Sequence, residues 1–194
     1  MWYFSWILGV LLACSLGLIN VLRLEAQEAL AKESVAIDPL TQLLAKESVL
    51  ERLREKVDNS KRNGMPFSLI YLSLTEFKLK HQLPAYEMDT TILSTVTSIK
   101  SDIRTDLDIA ARVGDEDFVL ALPGASIERA EIIASRIKRN IFISVKTPNA
   151  VPVVIGVGVA EYSDHAEFLS EEMAMGFDEV ESLLNIAIAK CFEV

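Results

Sequence analysis

The chain has 194 residues, of which 28 are Asp or Glu and 19 are Lys or Arg, so its net charge at pH 7 is -9. A net negative chain lacks the electrostatic footprint that binding to a phosphate backbone requires, and nucleic acid is therefore not expected as a partner. Its two cysteines, Cys14 and Cys191, lie far apart in the sequence, which excludes a disulfide scaffold and a cysteine-based zinc site.

The first segment of the chain is apolar. Residues 1–22 carry no charged side chain, and Arg23 is the first charged residue. A helix of this length extends about 33 Å, which is enough to cross a hydrocarbon core about 30 Å thick. Residues 1–22 are therefore predicted to form a transmembrane helix. A cleaved signal peptide is the alternative, and the absence of a basic residue before the apolar run disfavours it.

Small residues follow one face of this predicted helix. They recur at every fourth position, as Ser5, Gly9, Ala13 and Gly17, and Asn20 follows about one turn later. Such a stripe lets another membrane helix approach closely, and an Asn side chain can donate a hydrogen bond across the contact. These residues are predicted to form a docking face. The alternative is a simple anchor in which the glycines are incidental.

The opening residues also match a known pattern. The chain begins Met1-Trp2-Tyr3-Phe4-Ser5-Trp6, and Ile19-Asn20 follows farther along. This stretch resembles the small third subunit of cytochrome bd ubiquinol oxidases, a family of single-helix proteins that pack against the large oxidase subunits. The resemblance implies those large subunits as partners and the bacterial inner membrane as the location.

A linker separates this segment from a soluble domain. Residues 23–37 are predicted to be a charged helical linker, because Glu and Lys alternate there with Ala and Leu. The domain boundary is predicted at Asp38-Pro39, since Asp suits a helix N-cap and Pro suits the first helical position. The soluble domain is then residues 38–194.

Periodicity and turn residues predict alternating helices and strands in the soluble domain. In chain order the predicted elements are a helix over 47–62 that Gly64 ends, a strand over 67–74, a helix over 86–103, two strands over 109–113 and 118–122 joined by a hairpin, a helix over 126–141, a strand over 151–160, an acidic irregular stretch over 161–181 and a helix over about 179–192. This order indicates an α/β fold in which helices flank a mainly antiparallel sheet.

Several short motifs of this domain occur together in a recognisable order. They are Asp38-Pro39-Leu40-Thr41, Phe77-Lys78, Ala111-Arg112-Val113-Gly114-Asp115-Glu116-Asp117-Phe118, Leu122-Pro123-Gly124 and Ile155-Gly156-Val157. Their order and spacing resemble the GGDEF domain over residues 38–194. The resemblance implies the palm-like fold that this family shares with nucleotidyl cyclases, and the condensation of two GTP molecules into cyclic di-GMP by a homodimer.

The resemblance assigns roles to the signature, which reads Gly114, Asp115, Glu116, Asp117 and Phe118. Glu116 and Asp117 stand at the metal and catalytic carboxylate positions, with their lengths exchanged. Asp115 replaces a glycine, adds a negative charge where phosphates should approach, and disfavours a positive φ. The alternative is that these acidic residues are only a solvated hairpin tip.

Other positions that the resemblance marks have changed. Ser73 and Thr75 stand where the family has Asp, and a neutral hydroxyl cannot replace an ionised ligand of a hard cation. Lys78 is what remains of the cations that bind phosphate. His81 or its neighbour replaces the Asn that reads guanine, and Thr90, beside Asp89, replaces the Asp that assists it.

The product-binding inhibitory site of the family is also incomplete in this sequence. Asp108 is in place, but Thr105 stands where the family has Arg, and Arg104 lies one residue early.

The preferred hypothesis is a membrane-anchored, non-catalytic accessory or regulatory protein. Its helix would dock with a cytochrome bd-type quinol oxidase, and its degenerate GGDEF domain would act as an interaction or sensing module in the cytoplasm. The expected partners are the large oxidase subunits, membrane lipid and a second copy of the chain, and no directly bound cofactor is expected. The alternatives are a membrane-tethered diguanylate cyclase that uses GTP and Mg²⁺, or a receptor for GTP or cyclic di-GMP.

Overall fold

The computed structural model describes residues 36–104, 106–147, 150–162 and 179–192, together with Tyr3. The predicted docking face of Ser5, Gly9, Ala13, Gly17 and Asn20 lies outside the described residues, as do nearly all of the predicted transmembrane helix and linker. Within the described ranges, no helix is both long enough and apolar enough to cross a bilayer. The chain divides into two units, Met1–Val35 and Ala36–Val194.

Five helices and five strands make up the described part of the second unit. The helices are α1 (Lys46–Asn63), α2 (Thr75–His81), α3 (Ala85–Asp102), α4 (Ile127–Ser144) and α5 (Glu179–Phe192). The strands are β1 (Leu44–Ala45), β2 (Phe67–Ser73), β3 (Ile109–Arg112), β4 (Asp117–Pro123) and β5 (Gly156–Tyr162).

The strands form one sheet in the order β1-β3-β4-β2-β5. β1 pairs in parallel with β3, and the other three pairings are antiparallel. The predicted α/β fold with a mainly antiparallel sheet is therefore confirmed. In the internal strand β2 every residue is buried, because helices cover both faces of the sheet.

Strand alternation divides the core into two layers. On one face, Ile70, Leu72 and Leu120 pack with residues of α2, α3 and α4. On the other face, Leu69 and Val119 pack with residues of α1 and α5. The sheet thus lies between two sets of helices. Polar side chains occur at the ends of its strands, such as Ser73 at the end of β2 and Asp117 at the start of β4.

Some predicted elements differ from the structure. The strand predicted over 151–160 begins only at Gly156, and residues 151–155 contribute a single bridge between Lys146 and Pro152. Proline has no backbone N–H to donate to a ladder, which explains this late start. β5 then continues to Tyr162, into the stretch that was predicted to be irregular. The short elements α2 and β1 were not predicted at all.

The Asp38-Pro39 pair does not begin a helix, although Asp suits an N-cap and Pro the first helical position. The first helix of the domain begins at Lys46. Asp38 instead closes a turn, because its Oδ1 accepts hydrogen bonds from the backbone N–H of Thr41 at 2.8 Å and from the Thr41 hydroxyl at 2.6 Å. The Asp side chain satisfies backbone donors as an N-cap would, but no helix follows.

Two glycines of β5 allow helix α5 to approach the sheet closely. A Cβ atom at Gly158 would lie 1.9 Å from the carbonyl oxygen of Ala187 and 2.7 Å from the backbone nitrogen of Cys191. A Cβ atom at Gly156 would lie 2.9 Å from the Cys191 Sγ. Since the atoms at Gly158 are backbone, a side chain there would force α5 away from β5.

We therefore predict that Gly158→Ala lowers the free energy of unfolding by about 3 kcal/mol, because the helix must move to admit the methyl group. Gly64→Ala is the matched control. Gly64 has a φ of 60° but open space around it, so its substitution should cost about 1 kcal/mol. Urea unfolding of the detergent-solubilised chain, followed by circular dichroism, measures both. Equal losses in the two variants would contradict the close packing of α5 on β5.

Candidate functional site

The signature lies at the hairpin between β3 and β4. The backbone N–H groups of Val113 and Gly114 both donate to the carbonyl oxygen of Asp117, at 3.0 and 3.4 Å. A Cβ atom on Gly114 would lie 2.6 Å from the Asp117 Oδ2 and 3.2 Å from the Asp117 Cβ, so a side chain there would displace the Asp117 carboxylate. The β2–β4 register sets Ser73 opposite Asp117, and the backbone N–H of Leu74 donates to the Glu116 carbonyl at 3.0 Å. The hairpin is thereby fixed against the end of β2.

Three hydroxyl groups surround the Asp117 carboxylate. The Ser73 hydroxyl donates to the Asp117 Oδ1 at 2.6 Å, and the Thr75 hydroxyl lies 3.4 Å from the same oxygen. The Tyr71 hydroxyl forms a further hydrogen bond with Asp117. Burial raises the pKa of Tyr71, and the negative charge and hydrogen bond of Asp117 raise it further. Ser73 and Thr75, at the positions where the resemblance led us to expect Asp, therefore serve as donors to the Asp117 carboxylate.

Glu116 forms an ion pair with Lys78. The Lys78 Nζ contacts the Glu116 Oε1, and the Glu116 side chain is only 12% exposed. The buried Phe77 anchors helix α2, which carries Lys78. The hydrogen bond to Glu116 raises the pKa of Lys78, as does the carboxylate charge. The two residues expected to bind metal and phosphate thus bind each other.

Asp115 is exposed at the hairpin tip, and its backbone carbonyl is bound by Arg112. The Arg112 guanidinium donates to the Asp115 carbonyl at 2.6 Å and contacts both carboxylate oxygens of Asp38 at 3.2 Å. Asp115 does not adopt the positive φ that was expected to strain it. The turn has a conformation that an L side chain tolerates, so charge is the remaining effect of this substitution.

The other predicted site residues have separate surroundings. His81 is exposed, and its ring lies 4.6 Å from that of Phe77. The Thr90 hydroxyl donates within its own helix, to the Tyr86 carbonyl.

Asp108 is buried just before β3, at the end of that strand away from the hairpin. Arg104 contacts it at 2.8 Å and also donates a backbone N–H to it at 2.7 Å. The arginine that lies one residue early in the sequence therefore pairs with Asp108 internally.

Sequence reasoning missed two residues behind the signature, Tyr71 and Cys191. Tyr71 precedes Ser73 by two positions on β2, so strand alternation could have found it. No sequence signal places Cys191 near Asp117. Burial raises the pKa of the Cys191 thiol to about 11, and the charges of Asp117 and Glu76 add to this. The thiol is therefore a protonated packing group at neutral pH.

The donor set at the hairpin does not suit Mg²⁺. This cation prefers anionic and carbonyl oxygens in an octahedral arrangement. Here Ser73 and Thr75 offer neutral hydroxyls, Glu116 is neutralised by Lys78, and Asp117 accepts hydrogen bonds. Among the described residues there is no group of three Asp, Glu, His or Cys side chains that could hold a metal ion.

Two family models match parts of this chain. Residues 35–175 match the family described as diguanylate cyclase, GGDEF domain. The chain belongs to the GGDEF family. Residues 1–27 match a second family, described as membrane bound YbgT-like protein. Both resemblances found in the sequence are thereby confirmed.

Curated relatives of this GGDEF chain include longer proteins. The uncharacterized protein YhcK of Bacillus subtilis is 32% identical over 105 residues, which are 52% of this chain and 29% of the relative. The diguanylate cyclase DosC of Escherichia coli is 24% identical over 157 residues, which are 78% of this chain and 33% of the relative. The chain thus spans about a third of the length of the curated relatives it matches.

Solved structures share the fold. Diguanylate cyclase SiaD of Pseudomonas aeruginosa, in complex with its activator SiaC, is 25% identical with a TM-score of 0.65, and the match covers 94% of this chain and 66% of SiaD. The FimX GGDEF domain of the same organism is 16% identical with a TM-score of 0.66, covering 80% and 90%. The active GGEEF domain of a Vibrio cholerae diguanylate cyclase is 19% identical with a TM-score of 0.65, covering 78% and 90%. The last two similarities concern the fold alone.

The ion pair at the signature gives a test with a pH dependence. We predict that Lys78→Met lowers the free energy of unfolding by about 1 kcal/mol at pH 7, because it leaves Glu116 without its cation; the half-exposed ammonium keeps the loss small. The Lys78 pKa is raised in the folded state, so its contribution is complete below about pH 10 and is lost as the pH rises through the raised value.

The measurement is urea unfolding of both proteins between pH 7 and pH 11. Lys80→Met, an exposed position on the same helix, is the matched control and should be neutral. A loss in the Lys78 variant that matches the control, or that grows at high pH, would contradict the ion pair.

Proposed function

We propose that this chain is a membrane-anchored accessory or regulatory protein whose GGDEF domain does not synthesise cyclic di-GMP. The observation that carries this proposal is the ion pair of Lys78 with Glu116 beside the hydroxyl-bound Asp117. Glu116 and Asp117 therefore already have partners within the domain. The domain then serves as an interaction or sensing module, with no directly bound cofactor.

The chemistry of GTP condensation supports this view. Phosphoryl chemistry of this kind requires divalent cations held by carboxylates against the triphosphate, and cations for the phosphates. A metal ion at Glu116 would have to displace Lys78, and a triphosphate at Lys78 would have to displace Glu116. Binding both ligands would break the ion pair and bring Asp115 close to the incoming phosphates.

The amino-terminal segment supplies the partner in this proposal. Its match to the membrane bound YbgT-like family supports docking with the large subunits of a cytochrome bd-type quinol oxidase, through the face of Ser5, Gly9, Ala13, Gly17 and Asn20. The GGDEF domain would lie in the cytoplasm and could form a homodimer. The SiaD structure contains a diguanylate cyclase bound to its activator, so a relative of this domain assembles with a protein partner.

A diguanylate cyclase is the second candidate, because Glu116 and Asp117 retain carboxylates at the family positions. A receptor that binds GTP or cyclic di-GMP without turnover is the other variant of this candidate. Both would require the signature to rearrange when a nucleotide binds.

An assay of nucleotide turnover distinguishes the non-catalytic accessory protein from the diguanylate cyclase. The full chain in nanodiscs is incubated with GTP and Mg²⁺, and products are resolved by chromatography. We expect no more cyclic di-GMP than from Asp117→Asn, which removes the catalytic carboxylate with little change in size. Product formed by the native chain and abolished in Asp117→Asn would establish a cyclase. The active GGEEF domain of Vibrio cholerae serves as the positive control for the assay.

Oxidase docking has its own test. The tagged chain is isolated from detergent-solubilised membranes of its native host, and a reduced-minus-oxidised spectrum is recorded. We expect haem b and haem d absorption in the eluate, and a severalfold loss in Gly9→Leu/Gly17→Leu, which obstructs the close helix contact. Leu11→Phe adds bulk away from the stripe and is the matched control. A colourless eluate, or equal haem yields from all three proteins, would contradict docking by this face.

A further inference from the structure

Helix α4 presents apolar side chains to solvent. Its buried side is formed by Ala130, Ala134, Ile137 and Ile141. On a helix with 3.6 residues per turn, Ile132, Arg139 and Ile143 project on the opposite side. Ile132 is 67% exposed, Ile143 is 62% exposed and the neighbouring Phe142 is 51% exposed. Three large apolar side chains therefore stand on the outside of one helix.

The same surface carries positive charge in an acidic protein. Residues 132–146 contain Arg136, Lys138, Arg139 and Lys146, and no Asp or Glu. Arg136 pairs with Asp102 at 3.0 Å, but Arg129 and Arg139 form no ion pair with any described residue. The acidic residues of α4, Glu128 and Glu131, lie in its first turns on the same surface as Ile132 and Arg139. The Ser126 hydroxyl donates to Glu128 at 2.6 Å. The outer face of α4 is thus both apolar and cationic toward its carboxyl end.

We propose that this face, defined by Arg129, Ile132, Arg139, Phe142 and Ile143, contacts the anionic headgroups of the membrane to which the chain is bound. Helices that lie on bilayers combine apolar side chains, which enter the headgroup boundary, with Lys and Arg that reach anionic lipid. Ile132 and Ile143 are eleven residues apart, so the face extends about 16 Å along the helix.

Two observations favour lipid as the occupant. Residues 1–27 belong to a membrane bound family, and only residues 28–35 separate that match from Ala36, where the domain unit begins. A tether this short keeps the domain at a high effective concentration near the bilayer, so even a weak contact is populated. The inference needs membrane association, but neither oxidase docking nor the catalytic status of the signature.

A fluorescent label on α4 tests the contact in the full chain. Ile132→Cys, made in a Cys14→Ser background, is labelled with a polarity-sensitive dye and placed in nanodiscs of neutral lipid or of lipid with about 30% anionic headgroups. Cys191 is buried and does not compete for the dye. We expect a blue shift of emission in anionic nanodiscs alone, and its loss in about 0.5 M salt, which screens exposed charges. A label at Leu93→Cys on α3 should report no shift.

Charge reversal gives the decisive comparison. Arg129→Glu/Arg139→Glu should lose most of the blue shift, whereas Arg52→Glu/Lys56→Glu, which reverses two cations on α1, should keep it. If the charge-reversed variant fails to fold, the salt titration of the labelled chain with native Arg129 and Arg139 still tests the lipid contact. The proposal is overturned if the emission is equal in both lipids, if the shift requires a second copy in the nanodisc, or if it requires the oxidase. A blue shift that requires the oxidase would overturn the lipid contact and leave the oxidase-docking proposal intact. The two proposals can therefore fail separately.

Discussion

The pairing of β2 with β4 determines the state of the signature. It places Ser73 opposite Asp117, and a slip by one residue would turn every side chain of β2 to the other face of the sheet. Such a slip is prevented because β2 is buried on both faces by the two layers of the core. The hydroxyl groups around Asp117 and the ion pair at Glu116 are consequences of this register. The chemistry of the site is therefore set by the packing of the core.

Arg112 connects the hairpin to the start of the domain. It binds the carboxylate of Asp38 and the carbonyl of Asp115 at once. Burial acts to raise the pKa of Asp38, but the hydrogen bonds from Thr41 and the charge of Arg112 outweigh it and leave that pKa lowered. The pair is thus ionised at neutral pH, and it stabilises the fold until the pH falls through the lowered pKa. The acidic signature is held by cations of its own chain. This arrangement is consistent with the proposed interaction module, which acts through its surface and not through catalysis.

Sequence patterns predicted most of the fold, and physical reasons explain the exceptions. The long helices and strands follow hydrophobic periodicity, and Gly64 ends α1 in the left-handed conformation as expected. α2 and β1 escaped prediction because seven and two residues are too short to show a period. The departures from the GGDEF pattern that the resemblance led us to expect could be located in the sequence, but the partners of those residues could not. The contact between Lys78 and Glu116 joins residues 38 positions apart, and only the fold brings them together.

If the protein's own groups occupy the signature, that site should bind no divalent cation. Electron paramagnetic resonance of Mn²⁺ tests it directly, because free aqueous Mn²⁺ gives a sharp spectrum that weakens when the ion binds to protein. The chain is titrated with Mn²⁺ and a non-hydrolysable GTP analogue, against the analogue alone at the same concentration. We expect identical concentrations of free Mn²⁺ with and without the chain. Loss of one Mn²⁺ signal or more per chain, abolished in Glu116→Gln, would contradict it.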